Sequence, residues 1–137
     1  KKVLKACYDG GARLMEFTNR GDFALEVFTE LTKYAFKELP GMIMGVGSVT
    51  DAAAASAYML NGSNFVVTPV LREDIAVVCN RRKVLWSPGC GSLTEIAKAE
   101  ELGRQKILLK KNQSKTSLQV ILSMPLILPR FRNQHLC

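Results

Sequence analysis

Short apolar runs alternate with longer amphipathic segments along the first 103 residues of the chain. The apolar runs have the length and composition of buried β-strands. They begin near Arg13, Met42, Asn64 and Val84, and are 29, 22 and 20 residues apart. Each is followed by a segment of helix length, and this alternation predicts a parallel sheet with right-handed crossover helices.

Four crossover helices are predicted after these strands. They occupy residues 22–39, 51–60, 72–82 and 92–103. Asp51 has the side chain and the position of an N-cap, and Ser92 with Glu95 forms a capping-box pattern at the start of the last helix. Gly103 is placed to end that helix. A further helix is expected at 1–11, with no strand before it.

Polar and turn-forming residues gather where the predicted strands end. They are Thr18, Arg20, Gly47, Ser48, Thr68, Pro69, Ser87, Pro88 and Gly89. A β/α barrel builds its active site from the carboxyl ends of many strands, whereas a doubly wound sheet uses mainly its switch point. The pattern therefore favours a partial TIM-type (β/α) barrel. Because 137 residues are too few for a whole barrel, we expect the first strand and the last units to be lacking.

The first predicted strand carries a carboxylate where a core residue is expected. Side chains alternate between the two faces of a strand, and one face here carries Leu14, Glu16, Thr18 and Arg20. Burying a carboxylate is costly unless it is paired or hydrogen-bonded. Two explanations are open: an ion pair of Glu16 with Arg20 or Arg13, or a chemical role for Glu16.

The composition changes abruptly at Gly103. The chain is 47% hydrophobic, enough to build one core, and has a net charge of +7. Residues 1–103 hold 12 basic and 12 acidic residues together with all 10 glycines, whereas residues 104–137 hold 7 basic residues and no acidic one. We therefore predict two regions, a partial barrel at 1–103 and an unrecognised basic tail at 104–137.

Several classes of protein are not expected. The cysteines Cys7, Cys79, Cys90 and Cys137 are not spaced as a metal knuckle or a redox motif, and the N-terminus does not resemble a signal peptide. The longest apolar stretch is too short to span a bilayer. His135 is the one histidine, so a histidine-based triad or metal site is not expected. These features favour a cytoplasmic protein without a membrane segment.

Four ordered motifs, each at the end of a predicted strand, resemble one enzyme family. They read "GARLMEFTNRG", "MGVGSVTDAAAA", "GSNFVVTPV" and "VLWSPGCGSLTEIAKAEELG". They resemble the 2-keto-3-deoxy-6-phosphogluconate aldolases, which include 4-hydroxy-2-oxoglutarate aldolases, over roughly residues 1–103. The resemblance implies a cytoplasmic homotrimeric β/α barrel of Entner-Doudoroff carbohydrate metabolism. Such a lyase cleaves a keto acid to pyruvate and an aldehyde through a lysine imine (Schiff base), with no metal or other cofactor.

The resemblance also implies roles for particular residues. Glu16 corresponds to the general acid/base and Arg20 to the group that holds the pyruvate carboxylate. Ser48 stands where the family usually has a threonine that contacts the same carboxylate, and Pro69 lies at the strand end beside the substrate. Thr18 joins them as a substrate-binding candidate. These residue types suit the chemistry, because desolvation raises the pKa of a carboxyl group and an arginine matches a carboxylate with two parallel donors.

The sequence departs from the family pattern after Gly103. The resemblance places the imine lysine at position 108, and this chain has Leu108 there. Lys106 and Lys110 lie on either side, each displaced by about 6.5 Å along a strand. The imine lysine is therefore left unassigned, and Lys106 is the substitute candidate. We therefore expect this chain to be incomplete and inactive.

Three explanations of the tail are open. A frameshift, gene fragment or assembly error accounts at once for the missing motif, acidic residues and glycines, and is favoured for that reason. The second explanation is a divergent or degenerate aldolase. The third is a basic appendage that makes the protein a non-enzymatic nucleic-acid-binding module, although nucleic acid is not the expected partner, since Phe131 is the tail's one aromatic residue able to stack on bases.

Overall fold

A computed structural model describes residues 1–103 and the two residues Leu108–Leu109. Helices and strands alternate along the described chain. In order they are α1 (Lys2–Asp9), β1 (Leu14–Thr18), α2 (Ala24–Glu38), β2 (Ile43–Gly47), α3 (Ala52–Leu60), β3 (Phe65–Thr68), α4 (Glu73–Arg82), β4 (Leu85–Cys90), α5 (Leu93–Glu101) and β5 (Leu108–Leu109). The alternation predicted from the hydrophobic pattern is confirmed, with strand starts within two residues of those expected.

The strands form a parallel sheet in sequential order, β1-β2-β3-β4-β5. A doubly wound sheet reverses its strand order at a switch point, whereas a β/α barrel adds each strand beside the one before it. The sequential order in the described part of the chain is that of a barrel. The predicted fold class is therefore confirmed for these residues.

The strand β4 is longer than the turn-forming residues in "SPGC" suggested. It runs to Cys90, with Thr68 of β3 opposite Pro88. Beyond that point Gly89 and Cys90 pair with Leu108 and Leu109 of β5. Pairing on this second side explains why the backbone stays extended through a proline and a glycine.

The two faces of the sheet bury different clusters. The inner cluster consists of Ile43, Phe65, Val67 and Leu85, with Leu14 packed against it. The outer face packs against the helices, and there Met15 and Phe17 of β1 join a larger cluster that includes Phe28 and Trp86. The side-chain alternation predicted for the first strand is therefore correct. Glu16 lies on the inner face, one step beyond Leu14.

Side-chain caps define the starts of two helices, as the sequence predicted. The Asp51 carboxylate accepts a hydrogen bond of 2.7 Å from the backbone N–H of Ala54 at the start of α3. At the start of α5, the Ser92 hydroxyl accepts from the N–H of Glu95, and the Glu95 carboxylate accepts from the N–H of Ser92, both at 3.2 Å. The same carboxylate also accepts from the N–H of Gly91 at 2.7 Å. The capping box thus ties the end of β4 to α5.

We expect Ser92→Ala to lower the free energy of unfolding by about 0.5–2 kcal/mol, because it removes the acceptor for one orphan N–H of α5. Urea denaturation followed by circular dichroism measures this loss. Ser56→Ala is the matched control, since Ser56 lies in the middle of α3 and alanine is the better helix former there. Equal stability of the two variants would contradict a capping role for Ser92.

Candidate functional site

The pairing of β1 with β2 determines the surroundings of Glu16. In this register Glu16 lies opposite Gly45, and Thr18 lies opposite Gly47. A Cβ atom at Gly47 would overlap the Glu16 carboxylate oxygen Oε1 and come within 2.7 Å of its Cδ. The half-buried carboxylate therefore occupies the space that any side chain at position 47 would fill.

Gly45, the first glycine of "GVG", makes room for a different side chain. A Cβ atom at Gly45 would overlap the ring of Phe65, which belongs to the inner cluster. Glycine at this position leaves room for the ring of Phe65 on the inner face, next to the position opposite Glu16. The two glycines of β2 thus serve close packing, because neither has a positive φ angle.

Burial without a charged partner controls the acidity of Glu16. Desolvation raises the pKa of its carboxyl group above the ordinary value, because burial disfavours the charged form. Arg13 donates instead to the backbone oxygens of Tyr8 and Ala12, at 2.7 and 2.9 Å. Within the described residues, neither Arg13 nor Arg20 forms an ion pair with Glu16. The structural ion pair considered from sequence is therefore absent from this part of the chain.

The other residues predicted for the site lie at the carboxyl ends of three adjacent parallel strands. Thr18 is the last residue of β1, Ser48 follows β2 and Pro69 follows β3. Ser48 is half-buried and has a φ of 59°, which lies in the left-handed region. Because the strands are parallel and neighbouring, these residues share one edge of the sheet. The structure thus brings Thr18, Ser48 and Pro69 to the same edge as Glu16.

Arg20 lies two residues beyond the end of β1 and is exposed. Its backbone N–H donates to the carbonyl of Thr18 at 2.9 Å, so the chain turns as soon as the strand ends. The next residue, Gly21, has a φ of 81° that continues this turn. Arg20 makes no described ion pair, and its side chain is exposed just beyond the end of β1.

One pair at this edge was missed from sequence. The hydroxyl of Tyr58, on α3, donates to the side-chain oxygen of Asn19 at 2.8 Å. A signal was present, because Asn19 follows Met15 and Phe17 on the face of β1 that packs against helices. A polar side chain there requires a hydrogen-bond partner. The sequence does not say which residue supplies it.

The imine candidates Lys106 and Lys110 lie outside the described residues, as does the tail at 104–107 and 110–137. The backbone of Leu108 is described, and it pairs with Gly89 of β4. The roles of these lysines, and the boundary at Gly103, stay predictions.

Three features of the described residues bear on metal sites, reactive thiols and membrane spans. No group of three or more His, Cys, Asp or Glu side chains that could hold a metal ion occurs among the described residues. Burial raises the pKa of the Cys79 thiol to about 12, which keeps it protonated. No helix in the described part combines the length and the apolar character needed to cross a membrane.

A family model and curated relatives match this chain. The model described as "Aldolase: KDPG and KHG aldolase" matches residues 1–130, and so extends past Gly103, where the recognised motifs end. The 2-dehydro-3-deoxy-phosphogluconate aldolase of Pseudoalteromonas atlantica is 29% identical over 101 residues, which are 74% of this chain and 45% of that protein. The enzyme of the same name from Zymomonas mobilis is 26% identical over all 137 residues, 62% of its own length. The chain spans about half the length of the curated relatives it matches.

Solved structures share the fold. The 2-keto-3-deoxy-6-phosphogluconate aldolase of Zymomonas mobilis, solved with 3-phosphoglycerate, has a TM-score of 0.66 at 28% identity, and the alignment covers 76% of this chain and 47% of that one. An aldolase from Legionella pneumophila, with pyruvate captured as a covalent carbinolamine, has a TM-score of 0.66 at 20% identity over 74% and 47% of the two chains. The barrel class predicted from sequence agrees with both structures.

We expect Gly47→Ala to lower the free energy of unfolding by about 1–3 kcal/mol, because the added methyl group displaces the Glu16 carboxylate. Gly91→Ala is the matched control, since a Cβ atom there would be 3.6 Å from the Glu95 carboxylate, an ordinary contact. Urea denaturation measures both. In a Glu16→Ala background the cost of Gly47→Ala should largely disappear, and an undiminished cost would contradict the close approach.

Glu16→Gln should stabilise the protein increasingly as the pH rises. Folded Glu16 binds its proton more tightly than the unfolded residue, so the wild type loses stability as the pH rises from the ordinary glutamate pKa through the raised folded value. The variant has no such loss. Urea denaturation between pH 4 and pH 7, an interval of about three units around that window, measures the difference. Glu26→Gln, at an exposed position of α2, should give no such gain, and equal gains would contradict desolvation of Glu16.

Proposed function

Because the chain belongs to the KDPG and KHG aldolase family, we propose that its strands carry the proton-transfer and carboxylate-binding groups of a class I aldolase site. The substrates are acids of the 2-keto-3-deoxy-6-phosphogluconate type, and the products are pyruvate and an aldehyde. The observation that carries the proposal is the half-buried Glu16 carboxylate. It lies at the carboxyl edge of the sheet, its pKa is raised by desolvation, and it has no described ion-pair partner.

Glu16 is suited to both halves of the proton transfer. In retro-aldol cleavage, the bond between C3 and C4 of the imine breaks, and its electron pair moves into the imine to form an enamine. The proton of the C4 hydroxyl must leave at the same time, and the Glu16 carboxylate accepts it directly or through a water molecule. The enamine must then take up a proton at C3, and the Glu16 carboxyl group can supply it, because a pKa raised by desolvation keeps this carboxyl group protonated at a higher pH than an exposed glutamate.

The neighbouring strand ends suit recognition of the keto acid. The Arg20 guanidinium offers two parallel donors to the substrate carboxylate. The hydroxyl groups of Ser48 and Thr18 offer further donors from the next strand end and from β1 itself, and the rigid ring of Pro69 limits the site beyond them. In this division of roles, Arg20 neutralises the negative charge of the substrate carboxylate, and Glu16 transfers the proton.

The missing amine at position 108 limits the chemistry that this chain can perform. An imine requires an amine that attacks the keto carbon, loses water and leaves a cation to accept electrons. Leu108 cannot supply that amine, and a lysine displaced by two residues would be about 6.5 Å from the required place. We therefore include in the proposal that the wild-type chain binds pyruvate without forming an imine and does not cleave the substrate.

The same proposal includes a cytoplasmic homotrimer, which the family resemblance suggests. The helices of the described part expose large apolar side chains, among them Phe36 and Leu60, which are 78% and 71% exposed. Association of subunits would cover surfaces of this kind. We do not extend the proposal to nucleic acid, because every basic residue of the tail lies outside the described residues.

Leu108→Lys should restore imine formation. We expect borohydride reduction in the presence of pyruvate to leave the wild type unmodified and to attach a reduced pyruvate to position 108 of the variant, as measured by intact mass and peptide mapping. Leu109→Lys is the matched control, because adjacent strand residues face opposite sides of the sheet.

Two results would count against this. An adduct on Lys106 or Lys110 of the wild type would overturn the inactivity of the chain while supporting its aldolase chemistry. Absence of an adduct in a folded Leu108→Lys variant would overturn the proposed site.

A further inference from the structure

Tyr58 of α3 is buried, and it contacts both the aromatic cluster and the residue after β1. Its side chain is only 3% exposed. Its ring meets the ring of Phe28 edge-on at 5.1 Å between centroids, and Phe28 in turn contacts Phe17 of β1 at 5.7 Å. Such aromatic contacts restrict the orientation of each ring. The hydroxyl of Tyr58 therefore has a fixed position relative to the strand.

The hydroxyl of Tyr58 holds Asn19 from one side, and β2 holds it from the other. Burial raises the pKa of Tyr58, so the hydroxyl keeps the proton that it donates to Asn19 Oδ1 at 2.8 Å. The backbone N–H of Asn19 donates to the carbonyl of Gly47 at 2.9 Å. Asn19 is thus fixed through its side chain to α3 and through its backbone to β2, the strand whose Gly47 leaves space for the Glu16 carboxylate.

Arg20 begins a short exposed segment. Residues 20–23 are all exposed, and the next buried residue is Ala24 in α2. Gly21 has no side chain, and the side chains of Arg20, Asp22 and Phe23 make no described hydrogen bond or ion pair. On its N-terminal side, by contrast, Arg20 follows Asn19, whose side chain and backbone are both hydrogen-bonded.

From this arrangement we infer that Tyr58 and Asn19 are positioning residues that orient Arg20 toward the carboxylate of a bound keto acid. The inference rests on the proposed function, since it assumes that Arg20 binds that carboxylate. It adds a residue of α3, outside the strand ends, to the groups on which substrate affinity depends. A bond that served stability alone would affect unfolding and leave affinity and selectivity for carboxylates unchanged.

The test is titration of the full wild-type chain and its variants with pyruvate and with pyruvamide, followed by NMR. Pyruvamide keeps the keto group and lacks the carboxylate charge. Tyr58→Phe should raise the Kd for pyruvate about three- to tenfold, the range expected for one lost hydrogen bond, and should reduce the preference for pyruvate over pyruvamide. Asn19→Leu should do the same, and the double variant should bind no more weakly than either single variant.

Tyr8→Phe is the matched control. It removes a tyrosine hydroxyl that donates to the carbonyl of Pro40 at 2.9 Å, before the start of β2 and so at the opposite edge of the sheet. This variant should lose stability and keep the wild-type affinity and selectivity for pyruvate.

The outcomes separate the two proposals. If the wild type binds pyruvate and Tyr58→Phe and Asn19→Leu bind it with unchanged Kd and selectivity, the positioning role is overturned and the proposed function stands. If Tyr8→Phe weakens binding as much as Tyr58→Phe, the effect is one of general stability and the positioning role is again overturned. If the folded wild type binds neither pyruvate nor pyruvamide, the proposed function and this inference are both overturned.

Discussion

The close approach of the Glu16 carboxylate to the backbone of Gly47 is the contact on which the site depends. It requires the register that places Thr18 opposite Gly47, and it requires the absence of a side chain at position 47. Because the carboxylate is half-buried there, with no described partner, its pKa rises. A shift in register of one residue would turn Glu16 to the helix-facing side and leave it buried among apolar side chains.

The cluster on the outer face of the sheet also contacts the carboxyl end of β1. Phe17, Phe28 and Tyr58 form a chain of aromatic contacts that connects β1 to α2 and α3. At the far end of this chain, the Tyr58 hydroxyl reaches Asn19. Helix packing and the geometry of the strand end are therefore joined through Tyr58, a buried residue of α3 whose hydroxyl reaches the residue before Arg20.

The proposed function assigns two of the three groups that imine chemistry needs to β1 and the turn after it. In that proposal Glu16 moves the proton and Arg20 holds the carboxylate, whereas the amine is expected in the region around Leu108. The family model extends through that region to residue 130, although the lysine expected there is absent from position 108. The division follows from barrel architecture, since each strand end contributes one or two groups to a shared site.

The sequence by itself determined the alternation of strands and helices, the capping residues Asp51 and Ser92, and the inward face of β1, on which Glu16 lies. Each of these follows from local periodicity or from hydrogen bonds between residues close in the chain. Only the tertiary structure decided three contacts. The Glu16 carboxylate lies against Gly47, Arg13 bonds to backbone carbonyls instead of to Glu16, and Tyr58 donates a hydrogen bond to Asn19. These contacts join residues that lie far apart in the chain or compete for one partner, and strand register and helix packing choose among them.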